Sequence, residues 1–154
     1  MRKPYQILVL PYKRVSEEIL YCLFYRSDIN VWQFIAGGGE DEDESIIDTA
    51  KRETKEESKV ISNSFYKLDS ITYIRKDYYK ESIYWDKNIY TIPEYSFGLE
   101  IKNEEILISN EHTKYCWSSY DEAQKLLRYD GNKTALFELN ERIKDNNLIK
   151  TFKE

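Results

Sequence analysis

Three glutamates at helical spacing have the chemistry to bind a metal ion. Glu56 and Glu57 follow Glu53 by three and four positions in the stretch "TAKRETKEESKV". Residues at these spacings lie on one face of an α-helix, so the three carboxylates would gather at one edge of it. Like charges at such short range repel unless a cation lies between them. We expect a divalent cation, because neighbouring basic side chains alone would neutralise the cluster only loosely.

A run of three glycines precedes these glutamates. Gly37, Gly38 and Gly39 allow the backbone to approach a ligand closely, and exposed N–H groups at a helix N-terminus attract anions. Mg²⁺ usually binds through a few carboxylates together with the oxygens of a substrate phosphate. The glycines and glutamates therefore predict a combined metal and phosphate site. A Walker loop and an EF-hand are both excluded by the spacing of the surrounding residues.

The spacing of the glycine, arginine and glutamates matches a known motif. This motif reads Gly, five residues, Glu, seven residues, then Arg-Glu-apolar-x-Glu-Glu-x-Gly-apolar. Its positions fall on Gly38, Glu44, Arg52, Glu53, Thr54, Glu56, Glu57, Lys59 and Val60. The chain therefore resembles the Nudix hydrolases. Thr54 replaces an aliphatic residue and can pack through its methyl group, while Lys59 replaces a glycine and requires either a left-handed conformation or a different helix end.

Segments outside the motif narrow this resemblance. The stretches "RKPYQILVLPYK", "VWQFIAGG", "SNEHTKYCWSSYDEAQKLL" and "RYDGNKTAL" are similar to the small Nudix enzymes that act on dihydroneopterin triphosphate and nucleoside triphosphates. The resemblance implies a pyrophosphohydrolase that depends on Mg²⁺, with Mn²⁺ as an alternative ion. It also implies that water attacks the phosphorus nearest the nucleoside or pterin, which yields a monophosphate and pyrophosphate.

The resemblance assigns roles to particular residues. It implies that the metal ligands are Glu53, Glu56, Glu57 and Glu111. Glu111 is the first candidate for the general base and Glu53 the second, while Arg52 and Glu44 would brace the loop and orient the helix. The substrate contacts implied are Arg2, Lys3, Arg26, Gly38 and Gly39. His112, the single histidine, is interpreted as a turn residue, since Nudix sites usually employ a carboxylate or a metal-bound water as the base.

Two other functions stay open. A non-catalytic module could keep the fold and bind a nucleotide, although such proteins usually lack some of the motif carboxylates that are all present here. A Nudix hydrolase of dinucleoside polyphosphates or RNA caps would differ only in what its pocket holds. Trp32, Tyr90 and Tyr95 could stack on a base, but we interpret them as aromatics of the core or the sheet surface.

Strands and helices must bring these residues together. Runs rich in β-branched and aromatic residues predict strands at 5–12, 18–25, 31–35, 65–79, 88–101, 105–109 and 113–118. Helical periodicity predicts helices at 44–58, 120–128 and 132–145. Helices among strands indicate an α/β fold, which the resemblance specifies as a Nudix α/β/α sandwich with a mixed β-sheet. We expect one domain over residues 1–154.

Composition and charge limit the partners. The net charge of −5 opposes binding to long nucleic acid or to anionic lipid. Apolar runs are too short to span a membrane, and the N-terminal run lacks a signal-peptide cleavage site. Cys22 and Cys116 fit two buried thiols of a cytosolic protein better than a disulfide. We therefore expect a cytoplasmic protein, monomeric or homodimeric, whose partner is a small-molecule di- or triphosphate.

Overall fold

The computed structural model describes residues 1–109 and 114–151. Its strands are β1 (Gln6–Val15), β2 (Glu18–Arg26), β3 (Val31–Gln33), β4 (Ile35–Gly38), β5 (Phe65–Arg75), β6 (Thr91–Glu100), β7 (Lys114–Ser118) and β8 (Ile149–Lys150). Its α-helices are α1 (Ile46–Ser58), α2 (Tyr120–Leu126) and α3 (Asp130–Lys144). Two short 3₁₀ turns, Lys76–Tyr78 and Lys80–Tyr84, connect β5 to β6.

Strand β1 joins the parts of a mixed sheet. It pairs in parallel with β6 and antiparallel with β2 and β4. The strand order is β3-β2-β1-β6-β5-β8, with β4 beside β1 and β7 beside β2. Near the start of β1, Gln6 is in register with Gly38 of β4 on one side and with Glu94 of β6 on the other. The ends of these three strands therefore meet at one place.

The side chains of β1 alternate between two hydrophobic cores. One core contains Ile7 and Val9 of β1 together with Ile47 and Ala50 of α1. The other contains Leu8 and Leu10 of β1 together with Leu136 and Leu139 of α3. This period of two is expected of a strand whose two faces are both buried. The helices thus cover opposite faces of the sheet, and the predicted α/β fold with a mixed sheet is confirmed.

The predicted strand at 105–109 is wrong. Ile106 is buried against the α1 core, which accounts for the apolar run in the sequence. The backbone N–H groups of Leu107 and Ser109 donate to the carbonyls of Ser58 (2.9 Å) and Glu57 (3.1 Å). The segment therefore satisfies the carbonyls left unpaired at the end of α1 instead of extending the sheet.

Other predicted elements are observed with shifted ends. The strand predicted at 65–79 stops at Arg75, where the 3₁₀ turns begin. The strand predicted at 31–35 divides into β3, which pairs with β2, and β4, which pairs with β1. The three predicted helices are observed, and Lys59 ends α1 in the left-handed conformation with φ of 62°. Cys22 is buried as expected, whereas Cys116 is only half-buried.

None of the helices in the described residues has both the length and the apolarity that crossing a membrane requires.

Candidate active site

Two glycines let side chains approach β4 very closely. A Cβ atom built at Gly37 would lie 2.1 Å from Cδ of Glu53, and one built at Gly38 would lie 2.2 Å from Nε of Arg2. Successive positions of a strand face opposite sides, so Glu53 and Arg2 approach β4 from its two faces. Neither approach is compatible with a larger residue. The glycines of the sequence motif are thus explained by packing around β4.

A cleft of about 1150 Å³ opens around this strand. The predicted site residues that line it are Arg2, Arg26, Gly38, Glu53 and Glu57. It is also lined by polar residues that sequence reasoning missed, among them Gln6, Thr72, Glu94 and Asn132. The only signal for these residues was a polar side chain within an apolar strand or at the start of a helix. Their positions in one cleft depend on pairing between distant strands.

Other predicted site residues lie beside the cleft and not in its lining. Nζ of Lys3 donates to the carbonyl of Asp43 (2.8 Å), and the backbone N–H of Lys3 donates to the carbonyl of Gly39 (2.8 Å). A Cβ at Gly39 would meet the ring of Tyr5 at 2.3 Å. Lys3 and Gly39 therefore hold the loop that leads into α1.

The remaining predicted residues differ in their surroundings. Arg26 lines the cleft while its guanidinium pairs with Asp28 at 2.7 Å. Glu44 is exposed. Glu111 and His112 lie outside the described residues. Of the aromatics considered as stacking groups, Trp32 and Tyr95 pack partly buried against the two cores, and Tyr90 is exposed beneath Lys76.

Arg52 lies at the centre of the acidic cluster. Its Nη1 donates to Glu53 Oε1 at 3.0 Å and to Glu56 Oε2 at 3.2 Å. Its Nη2 donates to the carbonyl of Gly38 and to Asp43 Oδ2, both at 2.9 Å. The sequence interpretation assigned charge neutralisation to a divalent cation, whereas in the structure Arg52 already bridges Glu53 and Glu56. Through its bond to the carbonyl of Gly38, the same side chain also links α1 to β4.

Asp43 is the buried carboxylate that binds Arg52. Its side chain also accepts hydrogen bonds from Thr49 Oγ1 (2.8 Å) and from the backbone N–H of Glu40 (2.9 Å). Burial by itself would raise the pKa of Asp43, but the hydrogen bonds from Arg52 and these groups outweigh it and lower the pKa to about 2. The motif places this bracing role one position later, at Glu44. The structure therefore shows that Asp43 holds Arg52, a contact that the motif does not indicate.

We expect Asp43→Asn to destabilise the protein by about 2 kcal/mol, because it weakens charged hydrogen bonds in a buried network. Glu44→Gln is the matched control, with an expected change below about 0.5 kcal/mol because Glu44 is exposed. Since the pKa of Asp43 is lowered, its stabilisation is complete above about pH 4 and is lost as the pH falls toward 2. The measurement is urea unfolding of the three proteins near neutral pH and at about pH 3. A larger loss in Glu44→Gln than in Asp43→Asn would contradict the assignment.

The donor set at the α1 end of the cleft fits a hard divalent cation. Glu53 and Glu57 both line it, and Glu57 is only 3% exposed. Across residues 1–109 and 114–151, no three Asp, Glu, His or Cys side chains form a ready metal-binding group. Mg²⁺ keeps several waters and takes further oxygens from a substrate phosphate, so it needs only one or two protein carboxylates. The carboxylate oxygens of Glu53 and Glu57, which line the cleft together with Gly37 and Gly38, meet this requirement.

Comparison with known proteins identifies the family. The family model described as the NUDIX domain matches residues 7–139. The chain belongs to the Nudix family. It is 39% identical to a Listeria monocytogenes protein assigned as a Nudix hydrolase, with a TM-score of 0.86 over 97% of this chain and 100% of the other. The resemblance stated from the sequence motif is confirmed, and the protein is a Nudix hydrolase.

More distant Nudix structures share the fold. The dihydroneopterin triphosphate pyrophosphohydrolase of E. coli is 22% identical, with a TM-score of 0.70 over 90% of this chain and 97% of that one. The Ap4A hydrolase of C. elegans is 18% identical, with a TM-score of 0.68 over 93% of this chain and 99% of that one. No curated protein sequence matches the chain.

Proposed function

We propose that this Nudix hydrolase is a Mg²⁺-dependent pyrophosphohydrolase of a nucleoside or dihydroneopterin triphosphate. The observation that carries the proposal is that Glu53 and Glu57 share one cleft with Gly37, Gly38 and the guanidinium of Arg2. Carboxylates for a cation and a positive charge that can pair with a phosphate therefore meet at the two glycines that end β4. The proposal includes the expectation that residues 1–154 act as one domain in the cytoplasm.

Each residue contributes separately to this chemistry. Glu53 and Glu57, with Glu56 and Glu111, would hold the ion, which would neutralise the phosphate charge and lower the pKa of an attached water. Arg52 fixes the carboxylate of Glu53 through its hydrogen bond and keeps it from turning away. Glu111 is the first candidate for accepting the proton of the attacking water, and Glu53 is the second.

The substrate class is supported by similarity to other Nudix hydrolases and by the size of the cleft. The E. coli neighbour acts on dihydroneopterin triphosphate, and the C. elegans neighbour acts on a dinucleoside polyphosphate. A cleft of about 1150 Å³ has room for either kind of molecule. A dinucleoside polyphosphate hydrolase is therefore the second candidate. The non-catalytic module is disfavoured, because all the motif carboxylates are present.

A substrate panel tests the proposal. The purified protein is incubated with Mg²⁺ and nucleoside triphosphates, dihydroneopterin triphosphate, diadenosine polyphosphates or nucleotide sugars, and the products are read by mass spectrometry. We expect the highest kcat/KM with a triphosphate and no turnover in the presence of a chelator. Faster hydrolysis of a diadenosine polyphosphate would favour the second candidate. Binding without turnover of any member would support the non-catalytic module.

The identity of the broken bond is a separate prediction. We expect water to attack the phosphorus nearest the nucleoside or pterin, so that the products are a monophosphate and pyrophosphate. In ¹⁸O-labelled water, the label should appear in the monophosphate and not in the pyrophosphate. The control is the same reaction in unlabelled water, followed by incubation of the products in labelled water. Orthophosphate as the first product would show that the substrate binds in the opposite orientation, whichever residues bind the metal.

A further inference from the structure

A row of four residues crosses the sheet from the proposed phosphate site to the far side of the cleft. Gly38 of β4, Gln6 of β1, Glu94 of β6 and Thr72 of β5 are in register with one another in this order. All four line the cleft. Neighbouring strands lie about 4.8 Å apart, so Glu94 is about 10 Å from Gly38 along the row. A substrate with phosphates at Gly38 would therefore extend its ring toward Glu94.

Glu94 is a buried carboxylate with few hydrogen-bond partners among the described residues. It is 7% exposed, and its carboxylate accepts a hydrogen bond from Nε2 of Gln6 at 3.2 Å. Within residues 1–109 and 114–151 it makes no other side-chain hydrogen bond and no ion pair. Burial raises its pKa to about 7, and the bond from Gln6 offsets only part of this effect. A buried acid with so few partners favours a ligand that supplies further hydrogen-bond donors.

The orientation of Gln6 is set by its other neighbour. Nη2 of Arg2 donates to Oε1 of Gln6, so the amide nitrogen of Gln6 must face Glu94. Arg2 itself packs over the ring of Tyr79, with its guanidinium carbon 4.8 Å from the ring centre. The chain of contacts from Arg2 through Gln6 holds Glu94 in place. Gln6 is therefore a positioning residue, and Glu94 presents its remaining acceptor capacity to the cleft.

A carboxylate in this position distinguishes nucleobases and pterins by the hydrogen-bond donors along the edge of the ring. A 2-amino-4-oxo ring, the shared part of guanine and pterins, presents a ring N–H and an amino group side by side, which a carboxylate can accept together. Adenine presents one donor beside one acceptor, cytosine presents one donor beside two acceptors, and uracil places its N–H between two carbonyls. Asn132 also lines the cleft, and its Oδ1 accepts from the backbone N–H of Phe34 at 2.9 Å. Because Oδ1 is engaged in this bond, the group that Asn132 can offer to a ligand in the cleft is its amide N–H donor.

We propose that Glu94, positioned by Gln6, makes the cleft selective for triphosphates that carry a 2-amino-4-oxo ring. The inference rests on the proposed function, since it assumes that the ring belongs to a substrate whose phosphates lie at Gly38. A guanine nucleotide and a pterin triphosphate are the two sources of this ring.

Matched analogues and variants test the selectivity. We expect the wild-type protein to prefer GTP over ITP, which lacks only the 2-amino group, by at least about tenfold in kcat/KM. In Glu94→Gln the ratio of GTP to ITP in kcat/KM should fall to about one. The ratio of GTP to ATP should fall as well, because an amide matches the donor and acceptor of adenine. Glu94→Asp keeps the charge on a shorter side chain, so its carboxylate lies farther from the ring. The ratio of GTP to ITP should then fall between the ratios of the wild type and Glu94→Gln. Glu100→Gln, at the other end of β6 and outside the cleft, is the control and should keep the wild-type ratio.

The positioning role of Gln6 has its own readout. Gln6→Leu should lower the ratio of GTP to ITP in kcat/KM, because the amide that holds Glu94 is lost. Gln6 also accepts a hydrogen bond from Arg2 of the proposed phosphate site, so the readout is this ratio between two triphosphates and not kcat itself. Comparison of GTP with dihydroneopterin triphosphate then distinguishes the two sources of the ring.

Binding measurements separate this inference from the proposed function. The dissociation constants of GMP, IMP and neopterin are measured by calorimetry for the wild-type protein and Glu94→Gln. Tighter binding of GMP than IMP, lost in Glu94→Gln, would support the recognition site even if no triphosphate were hydrolysed. Rapid triphosphate hydrolysis with equal kcat/KM for GTP and ITP would overturn the recognition site and leave the proposed function intact. An unchanged preference in folded Glu94→Gln would overturn it equally.

Discussion

Glu57→Gln should lower kcat about a thousandfold with Mg²⁺, which corresponds to about 4 kcal/mol of barrier. Glu57 lines the cleft and is almost fully buried. A water molecule therefore cannot replace its carboxylate as a metal ligand unless the surrounding side chains move. An amide keeps the shape of the side chain but binds a hard cation much more weakly. Glu56→Gln should also remove most of the turnover if Glu56 binds the ion as the motif implies. The measurement is kcat at saturating substrate over a range of Mg²⁺ concentrations.

The same variants have a stability readout that is independent of activity. Without metal, Glu57→Gln should be as stable as the wild type or slightly more stable, because it removes a charge from an acidic cluster. Mg²⁺ should raise the melting temperature of the wild type by mass action and should raise that of the variant less. Asp48→Asn, on the same helix and outside the cleft lining, is the control, and Mg²⁺ should raise its melting temperature as much as that of the wild type. Near-normal kcat in both glutamate variants would contradict the metal assignment.

Gly37→Ala should lower kcat/KM about a hundredfold, the scale expected when a catalytic group is displaced by about 1 Å. The added Cβ would lie 2.1 Å from Cδ of Glu53, so the carboxylate must move out of its present position. Its hydrogen bond to Arg52 would be strained by the same movement. Steady-state kinetics measured beside the circular dichroism spectrum would show whether activity is lost in a folded protein.

A second glycine provides a steric control for this prediction. A Cβ at Gly98 would lie 2.7 Å from Cδ1 of Leu139, in the core and outside the cleft lining. Gly98→Ala should therefore lower the melting temperature while kcat/KM of the folded protein stays within about threefold. Similar losses of kcat/KM in the two variants would show that Gly37 acts through general stability and not through Glu53.

Local sequence pattern was sufficient for the family and for α1. Glu53, Glu56 and Glu57 lie within two turns of one helix, where the spacing along the chain determines which side chains share a face. The motif is short and local, so it predicted this helix. The glycines before it were expected to form a loop, whereas Gly37 and Gly38 belong to strand β4. At Lys59 the motif left two outcomes open, a left-handed conformation or a different helix end, and the structure shows the left-handed conformation.

The loop before α1 shows where local pattern is insufficient. Asp43 and Glu44 are adjacent acids of similar chemistry, and the motif selects Glu44. The structure buries Asp43 instead, because Lys3, Thr49 and Arg52 all form hydrogen bonds to it. These partners come from the N-terminal segment before β1 and from α1. Which of two neighbouring acids turns inward therefore depends on contacts that no local spacing specifies.

The sequence by itself determined the helix, its row of carboxylates and the family, because these features depend on residues close together in the chain. Only the tertiary structure decided what lies opposite them. Gln6 and Glu94 are separated by 88 positions, and they meet because β1 and β6 pair in parallel in one register. A shift of this register by one residue would turn Glu94 to the other face of the sheet. The proposed phosphate end of the cleft thus depends largely on the motif, whereas the proposed ring-binding end depends on strand pairing.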